Sequence, residues 1–272
     1  MDVSIIIVNY NTYDLTLDCI NSIKEKTNNI KYEIIVVDNN SPNRIIENLK
    51  LENVRLVLNS KNGGFGYANN IGNKYAKGKY LFFLNSDTIL MNNAIFELFE
   101  FMEKKSNVGI CGGNLYTLEH KPTISFERFK PSLINTVDNY LGDFLKKMFF
   151  KENLFFLNKS NPERINGYIS GANFFIRKNI FDSLKGFDED FFMYYEEVEL
   201  SYRVNKLGFD TYVVPTSRII HLEGGSQNKG NSLKRKWMAE SEKLYYLKTN
   251  TFGYSIVKLL HMIRIFYKIF KF

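Results

Sequence analysis

The chain has 272 residues, 44% hydrophobic and 24% charged, a balance that excludes a disordered or fibrous protein and allows a sizeable core. The net charge is +7, yet ten Lys and Arg against two Glu fall within residues 229–272, so the body is near neutral and the basic tail suits an anionic surface. Cys19 and Cys111 are too few and too far apart for a four-ligand zinc site or a CxxC redox pair.

Residues 3–8 (VSIIIV) form a β-branched run suited to a strand buried on both faces. Residues 14–26 read as a helix with Leu15, Cys19, Ile20 and Ile23 on one face. A second apolar run at 33–37 (EIIVV) ends at Asp38, after which Asn39, Asn40, Ser41 and Pro42 break the structure. Residues 54–58 give a third strand, 67–76 a helix, and 80–84 (YLFFL) a fourth strand ending at Asn85, Ser86 and Asp87. A helix over about 92–104 and a strand over 108–111 follow. Such alternation implies an α/β fold with a mostly parallel central sheet and helices on both faces, whose ligand binds beyond the carboxyl ends of the strands. Three of those ends carry polar clusters, Asn9, Tyr10 and Asn11, then Asp38, Asn39 and Asn40, then Asn85, Ser86 and Asp87, which are expected to converge on one crevice.

The alternation weakens over residues 115–165, which hold Pro122, Pro131, Pro162 and the basic aromatic stretch FLKKMFFKENLFFL, and an irregular insertion or cover over the site is expected there. Residues 167–177 return to a strand pattern, 196–207 to a helix, and 211–214 to a strand stopped by Pro215. With no repeat and no Gly/Ser-rich linker, a catalytic domain over 1–228 and a basic helical appendage over 229–272 are expected. In the appendage Lys258, His261, Arg264, Lys268 and Lys271 share one helical face, and Leu259, Met262, Ile263, Phe266, Ile269 and Phe270 the other. The charges interrupt every window long enough to span a bilayer. A helix lying on an anionic membrane is expected ahead of one docked on the catalytic domain or at a dimer interface. Nucleic acid is not an expected partner, because no binding motif accompanies the basic tail. The N-terminus has no signal-peptide pattern, and a cytoplasmic protein, peripheral on the inner face of the cell membrane, is expected.

Several residues carry candidate chemistry, each beside a plainer role. Asp38 at a strand end can accept hydrogen bonds from a base or ribose, or can simply form the DNNSP turn. The run NGGFGYAN at 62–69 can bring backbone close to a phosphate, or be an ordinary turn into a helix. It is not a dinucleotide fingerprint, which needs its glycines directly after the first strand. Asp87 can offer a hard oxygen to a metal bridging two phosphates, and His221 can complete a mixed oxygen and imidazole site that tolerates Mn2+ as well as Mg2+, although a lone His is more often structural. Glu196, Glu197 and Glu199 open a helix, where they suit its dipole; against the aromatic run Phe191, Phe192, Met193, Tyr194 and Tyr195 one of them can instead be a general base.

Together the stretches VSIIIVNYN, IIVVDNNS, NSKNGGFGYANNIG, YLFFLNSDT, GYISGANFFIRK, GFDEDFFMYYEEVELSYR and HLEGGS resemble the family 2 inverting glycosyltransferases of the GT-A fold, in the rhamnosyltransferase-like branch. The resemblance implies transfer of a sugar, rhamnose from dTDP-rhamnose in the first instance, to a hydroxyl of a lipid-linked or surface glycan. A UDP-hexose donor and a catalytically silent nucleotide-sugar-binding assembly protein are the alternatives. It further implies that Asn9, Asn11 and Asp38, with Asn40, hold base and ribose, and that Asn62, Gly64 and Asn69 line the diphosphate and sugar. Asp87 and His221 would bind Mn2+ or Mg2+ beside Asn85 and Ser86, Gly171 and Ala172 would leave room for the donor sugar, and Glu197 would be the base. Two departures stand out. Asn85 replaces an Asp that many relatives carry, and Glu197 replaces an Asp, moving its carboxylate outward by about a bond length where misplacement by about 1 Å can cost ~10²-fold.

Overall fold

A computed structural model describes residues 1–43, 46, 51–140, 159–222 and 231–270. The FLKKMFFKENLFFL stretch and residues 223–226 of the HLEGGS motif lie outside the described residues.

Strands β1 (Val3–Asn9), β2 (Tyr32–Asp38), β3 (Val54–Leu58) and β4 (Tyr80–Asn85) are parallel, in the order β3-β2-β1-β4. Their period-2 pattern splits the core into two layers. Ile5, Ile7, Val36 and Phe82 pack with Cys19, Ile20 and Ile23 of α1 (Tyr13–Lys26) and with Ile95, Leu98 and Met102 of α3 (Ala94–Lys104). Ile6, Ile35, Val37 and Phe83 pack on the other face with Ala68 of α2 (Phe65–Asn73), Phe181 of α5 (Lys178–Ser183) and Leu200 and Val204 of α6 (Glu196–Lys206). Each buried Val, Leu, Ile, Phe or Met among them contributes about 1.5–3 kcal/mol by leaving water, which fixes the register of the strands and so the place where they end.

Beyond β4 the sheet becomes mixed. β10 (Asn173–Arg177) runs antiparallel between β4 and β6 (Val108–Tyr116), β11 (Asp210–His221) is parallel to β6, and β5 (Thr88–Leu90) and β8 (Glu163–Ile165) pair antiparallel with β11. The carboxyl ends of β1, β2, β4, β6 and β11 therefore share one edge, to which antiparallel β10 brings its first residue. The expected stop at Pro215 is corrected by the structure. The strand continues to His221, and the ladder to β6 jumps from Val213↔Gly112 to Arg218↔Asn114, so the proline sits in a bulge where no ladder N–H is required. The described part of 115–165 holds a two-residue strand, β7 (Phe126–Glu127), paired with β9 (Tyr168–Ile169), and the helix α4 (Leu133–Tyr140).

The last two helices, α7 (Asn231–Thr249) and α8 (Thr251–Phe270), are not detached from the rest. Tyr245, Tyr246 and Val257 are buried in a third cluster with Phe191 and Val198, joined by Tyr195 and Tyr202. His261, expected on the polar face, lies 3.3 Å from Glu242 of α7, whose other oxygen accepts from Thr136 of α4 at 3.2 Å. Phe252, Leu259, Met262 and Ile263 of α8 are exposed. Among the described residues no helix is long and apolar enough to cross a membrane.

Candidate active site at the carboxyl edge of the sheet

Hydrogen bonds lace the three expected strand ends together. Asn9, 1% exposed, donates from Nδ2 to Asp38 Oδ1 (2.6 Å) and Ser41 Oγ (3.1 Å), and its Oδ1 accepts from Thr12 N (3.3 Å), Thr12 Oγ1 (3.0 Å) and Thr16 Oγ1 (3.0 Å). Both amide protons are spent inside the fold, so Asn9 braces Asp38 and offers no spare donor to a ligand. Asp38 also accepts from the Ser41 backbone N–H (2.9 Å). Ser41 Oγ in turn accepts from the Asn11 N–H (2.9 Å), which seats Asn11 beside this cluster. Asn11 and Asn40 are exposed, with φ of 57° and 62°, a left-handed backbone that Asn tolerates better than most residues. Thr12 Oγ1 meets Ser86 Oγ at 3.0 Å and ties the first strand end to the fourth.

Asn39 links this corner to the Gly-rich turn. Its Nδ2 donates to Asn62 Oδ1 (2.8 Å) and the Gly64 carbonyl (3.1 Å), and Asn62 Oδ1 also accepts from the Gly64 N–H (3.0 Å). Gly64 has φ of 93°, and a Cβ there would stand 2.0 Å from the Phe192 carbonyl oxygen, which accepts from the Phe65 N–H at 3.1 Å. The glycine is thus required by its backbone angle and by the approach of residues 188–195, the segment that precedes the acidic helix. Asn69 is buried, donating to the Phe65 carbonyl (3.0 Å) while its Oδ1 has no partner.

On the far side of the crevice, β5 and β11 bring the expected metal residues together. His221 pairs with Thr88 across the ladder, and His221 Nε2 lies 3.3 Å from Asp87 Oδ1 and 3.4 Å from Asn85 Nδ2. Strand β5, which places His221 against Asp87, is too short to be read from the sequence. Among the described residues no three His, Cys, Asp or Glu form a metal cluster. One carboxylate and one imidazole fit a cation that takes its remaining ligands from phosphate and water, as Mg2+ commonly does. They do not fit an all-protein cage.

The turn before β10 joins the two sides. The Asn85 N–H donates to the Ala172 carbonyl at 3.2 Å, and a Cβ on the neighbouring Gly171 would lie 4.0 Å from the Glu197 carboxyl carbon and 3.6 Å from the Phe65 ring. The space beside Gly171 is thus bordered by Glu197 and Phe65, and the next residue, Ala172, is tied to Asn85, two residues before Asp87.

The three acidic residues of α6 have different surroundings. Glu199 is locked by Arg203 in a fork, with Nε–Oε1 at 2.7 Å and Nη2–Oε2 at 2.6 Å, while the same guanidinium donates to the Leu184 and Gly186 carbonyls at 2.7 and 2.9 Å. Glu196 is buried, its Oε2 has no partner, and burial followed by the charge of Glu197 raises its pKa well above the ordinary carboxylate value. Glu197 is partly open, and desolvation raises its pKa to about 7 against the opposing pull of its own and Val198's N–H groups at the helix start. The N–H groups at the helix start and burial therefore act on Glu197 in opposite directions, and burial dominates.

The chain enters α6 through Tyr194 and Tyr195, with φ of 71° and 69°, two consecutive left-handed tyrosines. No sequence signal announces this pair, because left-handed positions ordinarily carry Gly or Asn. Nor does the sequence show that α7 lies along the same segment. Ser241 Oγ donates to the Met193 carbonyl (2.9 Å), Lys248 reaches Asp188 and Asp190 (2.6 Å each), and Tyr195 meets Tyr245 with ring centroids 5.7 Å apart.

Comparison with known proteins agrees with this arrangement. The chain is 25% identical over 192 residues to the rhamnosyltransferase WbbL of Escherichia coli strain K12, covering 67% of this chain and 69% of that protein. It is 36% identical over 67 residues to the N-acetylglucosaminyl-diphospho-decaprenol L-rhamnosyltransferase of Mycobacterium tuberculosis, 25% of this chain and only 22% of that one. The crystal structure of GalNAc-T7 with UDP, GalNAc and Mn2+ superposes with a TM-score of 0.62 at 20% identity, over 90% of this chain and 50% of that one, which establishes the GT-A fold. The model of glycosyl transferase family 2 matches residues 4–185, well over half of the chain, and the protein belongs to that family of transferases.

Proposed function

We propose that the protein is an inverting glycosyltransferase that moves a sugar, rhamnose from dTDP-rhamnose as the first candidate, onto a hydroxyl of a lipid-linked or surface glycan. The observation that carries this reading is the partly open Glu197 carboxyl, set across from Gly171 with its pKa near 7, where a base can take a proton and still be available at neutral pH. The acceptor oxygen attacks the anomeric carbon, its proton passes to Glu197, and the bond from that carbon to the diphosphate oxygen breaks with inversion. Asp38, braced by Asn9 and Ser41, accepts from base or ribose, with Asn11 and Asn40 at its rim. Asn62 and Gly64 hold the turn facing the diphosphate and the buried Asn69 braces the helix start behind that turn through the Phe65 carbonyl, while Ser86 and Asn85 support Asp87. Asp87 and His221 would hold a divalent cation, Mn2+ or Mg2+, which when bound supplies positive charge to the leaving diphosphate. Gly171 and Ala172 leave room for the sugar. The rhamnosyl transfer named for both relatives supports the donor choice, and the diphospho-decaprenol acceptor of the second supports a lipid-linked one.

A cytoplasmic membrane surface suits such an acceptor. The exposed Phe252, Leu259, Met262 and Ile263 of α8, within a segment rich in Lys and Arg, would lie in an anionic leaflet while the buried side of the helix stays docked on α7. Flotation with anionic vesicles tests this: Leu259→Glu with Ile263→Glu should leave the protein in the soluble fraction, and equal partitioning of both forms rejects the attachment.

For the reaction itself, thermal melts across dTDP- and UDP-sugars, each with Mn2+, Mg2+ or chelator, should show a metal-dependent rise selective for one donor. Asp87→Asn should remove the metal dependence. No rise with any donor at saturation would refute the transferase reading.

A further inference from the structure

The sole tryptophan of the chain lies outside the core. Trp237, partly exposed on α7, packs against Phe192 with ring centroids 5.3 Å apart and planes inclined at 51°, and Phe192 is itself 37% exposed beside the fully buried Phe191. Two large rings held together in contact with water contrast with Phe82, Phe83, Phe174, Phe175, Phe181 and Phe191, which are fully buried.

Their place matters more than their exposure. The Phe192 carbonyl receives the Phe65 N–H, and the Phe65 ring edges the space beside Gly171 that Glu197 bounds from the other side. Tyr194, two residues after Phe192, senses the charges of Glu196 and Glu197, and its ring faces Lys234 Nζ at 5.9 Å, one turn of α7 before Trp237. The platform is also fixed. Positions 234, 237, 241, 245 and 248 recur at helical spacing along one side of α7, and each touches residues 188–195. Trp237 therefore stands on a riveted helix at a set distance from the base.

We propose that Phe192 and Trp237 form the acceptor subsite, on which a pyranose ring of the acceptor glycan lies with its apolar C–H face against the two rings and its hydroxyl turned to Glu197. A sugar ring suits such a surface because it pairs a flat C–H face with polar edges, which Lys234, Arg235 and Lys236 on α7 can meet beside the exposed Leu233 and Met238 of the same helix. This inference rests on the glycosyltransferase reading above.

The full chain, saturated with nucleoside diphosphate and Mn2+, is titrated with methyl glycosides of glucose, galactose, N-acetylglucosamine and rhamnose while the fluorescence of its one tryptophan is followed. A saturable change with at least one glycoside, absent with the open-chain polyol sorbitol, is expected. In transfer assays with that glycoside, Trp237→Ala should raise the acceptor KM about tenfold or more while the donor KM stays within about twofold, Trp237→Phe should restore most of the loss, and Met238→Ala on the exposed side of the same helix should change neither. The proposal is overturned if donor sugars stabilise the fold but no glycoside alters the tryptophan signal, or if only lipid vesicles alter it. It is equally overturned if Trp237→Ala lowers kcat and donor affinity together, the mark of a strut. Absence of any donor-induced stabilisation overturns this proposal and the transferase reading alike.

Discussion

Replacing Glu197 by Gln separates chemistry from folding in a single variant. The carboxyl rises from 4.5 to a pKa of about 7 because the crevice desolvates its charged form. A folded-state value above the unfolded one means that the fold favours the neutral acid. That stability is fully present below about pH 4.5 and is lost as pH rises through about 7. At about 1.4 kcal/mol for each tenfold change in proton affinity, the ionised carboxylate costs the native state about 3 kcal/mol above that range. The neutral amide of Gln carries no such cost, and it also removes the charge that raises Glu196. Glu197→Gln should thus melt at the same temperature as wild type near pH 4.5 and about 6 °C higher or more at pH 8, since about 1 kcal/mol moves Tm by ~2–4 °C in chains approaching this size. An amide cannot accept the acceptor's proton, so kcat/KM should fall ~10²–10⁴-fold, with the donor-induced rise in Tm retained. Wild-type activity should fall as pH drops through about 7. Differential scanning fluorimetry across pH 4.5–8 and a transfer assay over the same range check both halves. An equal Tm gap at both ends of the range refutes the desolvation account. A fully active variant moves the role to Glu196, because Arg203 already holds Glu199.

Gly64→Ala places a methyl group against the Phe192 carbonyl at a backbone angle that L residues resist, so chemical denaturation should show a loss of about 3 kcal/mol or more. Gly171→Val meets no backbone at its Cβ position and should cost about 1 kcal/mol or less, yet fill the space before Glu197 and cut transfer ~10²-fold. Arg203→Lys keeps the charge but loses the fork on Glu199 and the reach to two carbonyls, and its denaturation midpoint should fall by an amount worth about 2–4 kcal/mol.

The parallel half of the fold was legible because its information is local. VSIIIV, EIIVV and YLFFL bury both faces, end in polar residues and alternate with helices, so β1, β2 and β4 and the convergence of Asn9, Asp38 and Ser86 follow from the pattern. The mixed half depends on long-range pairing. β5 has three residues and exists through β11, and β11 passes Pro215 only because the ladder to β6 bulges there. The site divides the same way. Residue types marked Asp38, Asp87, Glu197 and His221 as candidates, but only coordinates show that Asn9 is spent on bracing, that Glu199 is tied to Arg203, and that Gly64 faces the Phe192 backbone. The aromatic run before Glu197 was visible as composition. Its two left-handed tyrosines are not, because that conformation ordinarily marks Gly or Asn and the segment is tied by long-range contacts to α7 and to the Gly64–Phe65 turn.

With Glu197 as the proposed base, the conformation of these tyrosines links the C-terminal segment to the chemistry. Two consecutive non-glycine residues near φ of 70° cost about 1–2 kcal/mol each, and an isolated segment would relax out of them. Here the segment is held from one side by Gly64 and Phe65, through the Phe192 carbonyl, and from the other by α7, through Ser241 on Met193, Lys248 on Asp188 and Asp190, and Tyr245 on Tyr195. Asn9, Ser41, Asn59 and Gly64, all in the N-terminal part of the chain, hydrogen-bond the cluster of Asp38, Asn39 and Asn62, so loosening α7 should act on the proposed base and spare the donor. Ser241→Ala combined with Lys248→Met removes two of the ties and leaves the buried tyrosines in place. The double variant should lose about tenfold in kcat, with the donor-induced rise in Tm unchanged. An unaltered kcat would show that α2 alone holds the two tyrosines in position, and an equal loss of donor binding would show that the two halves of the crevice are not mechanically separate.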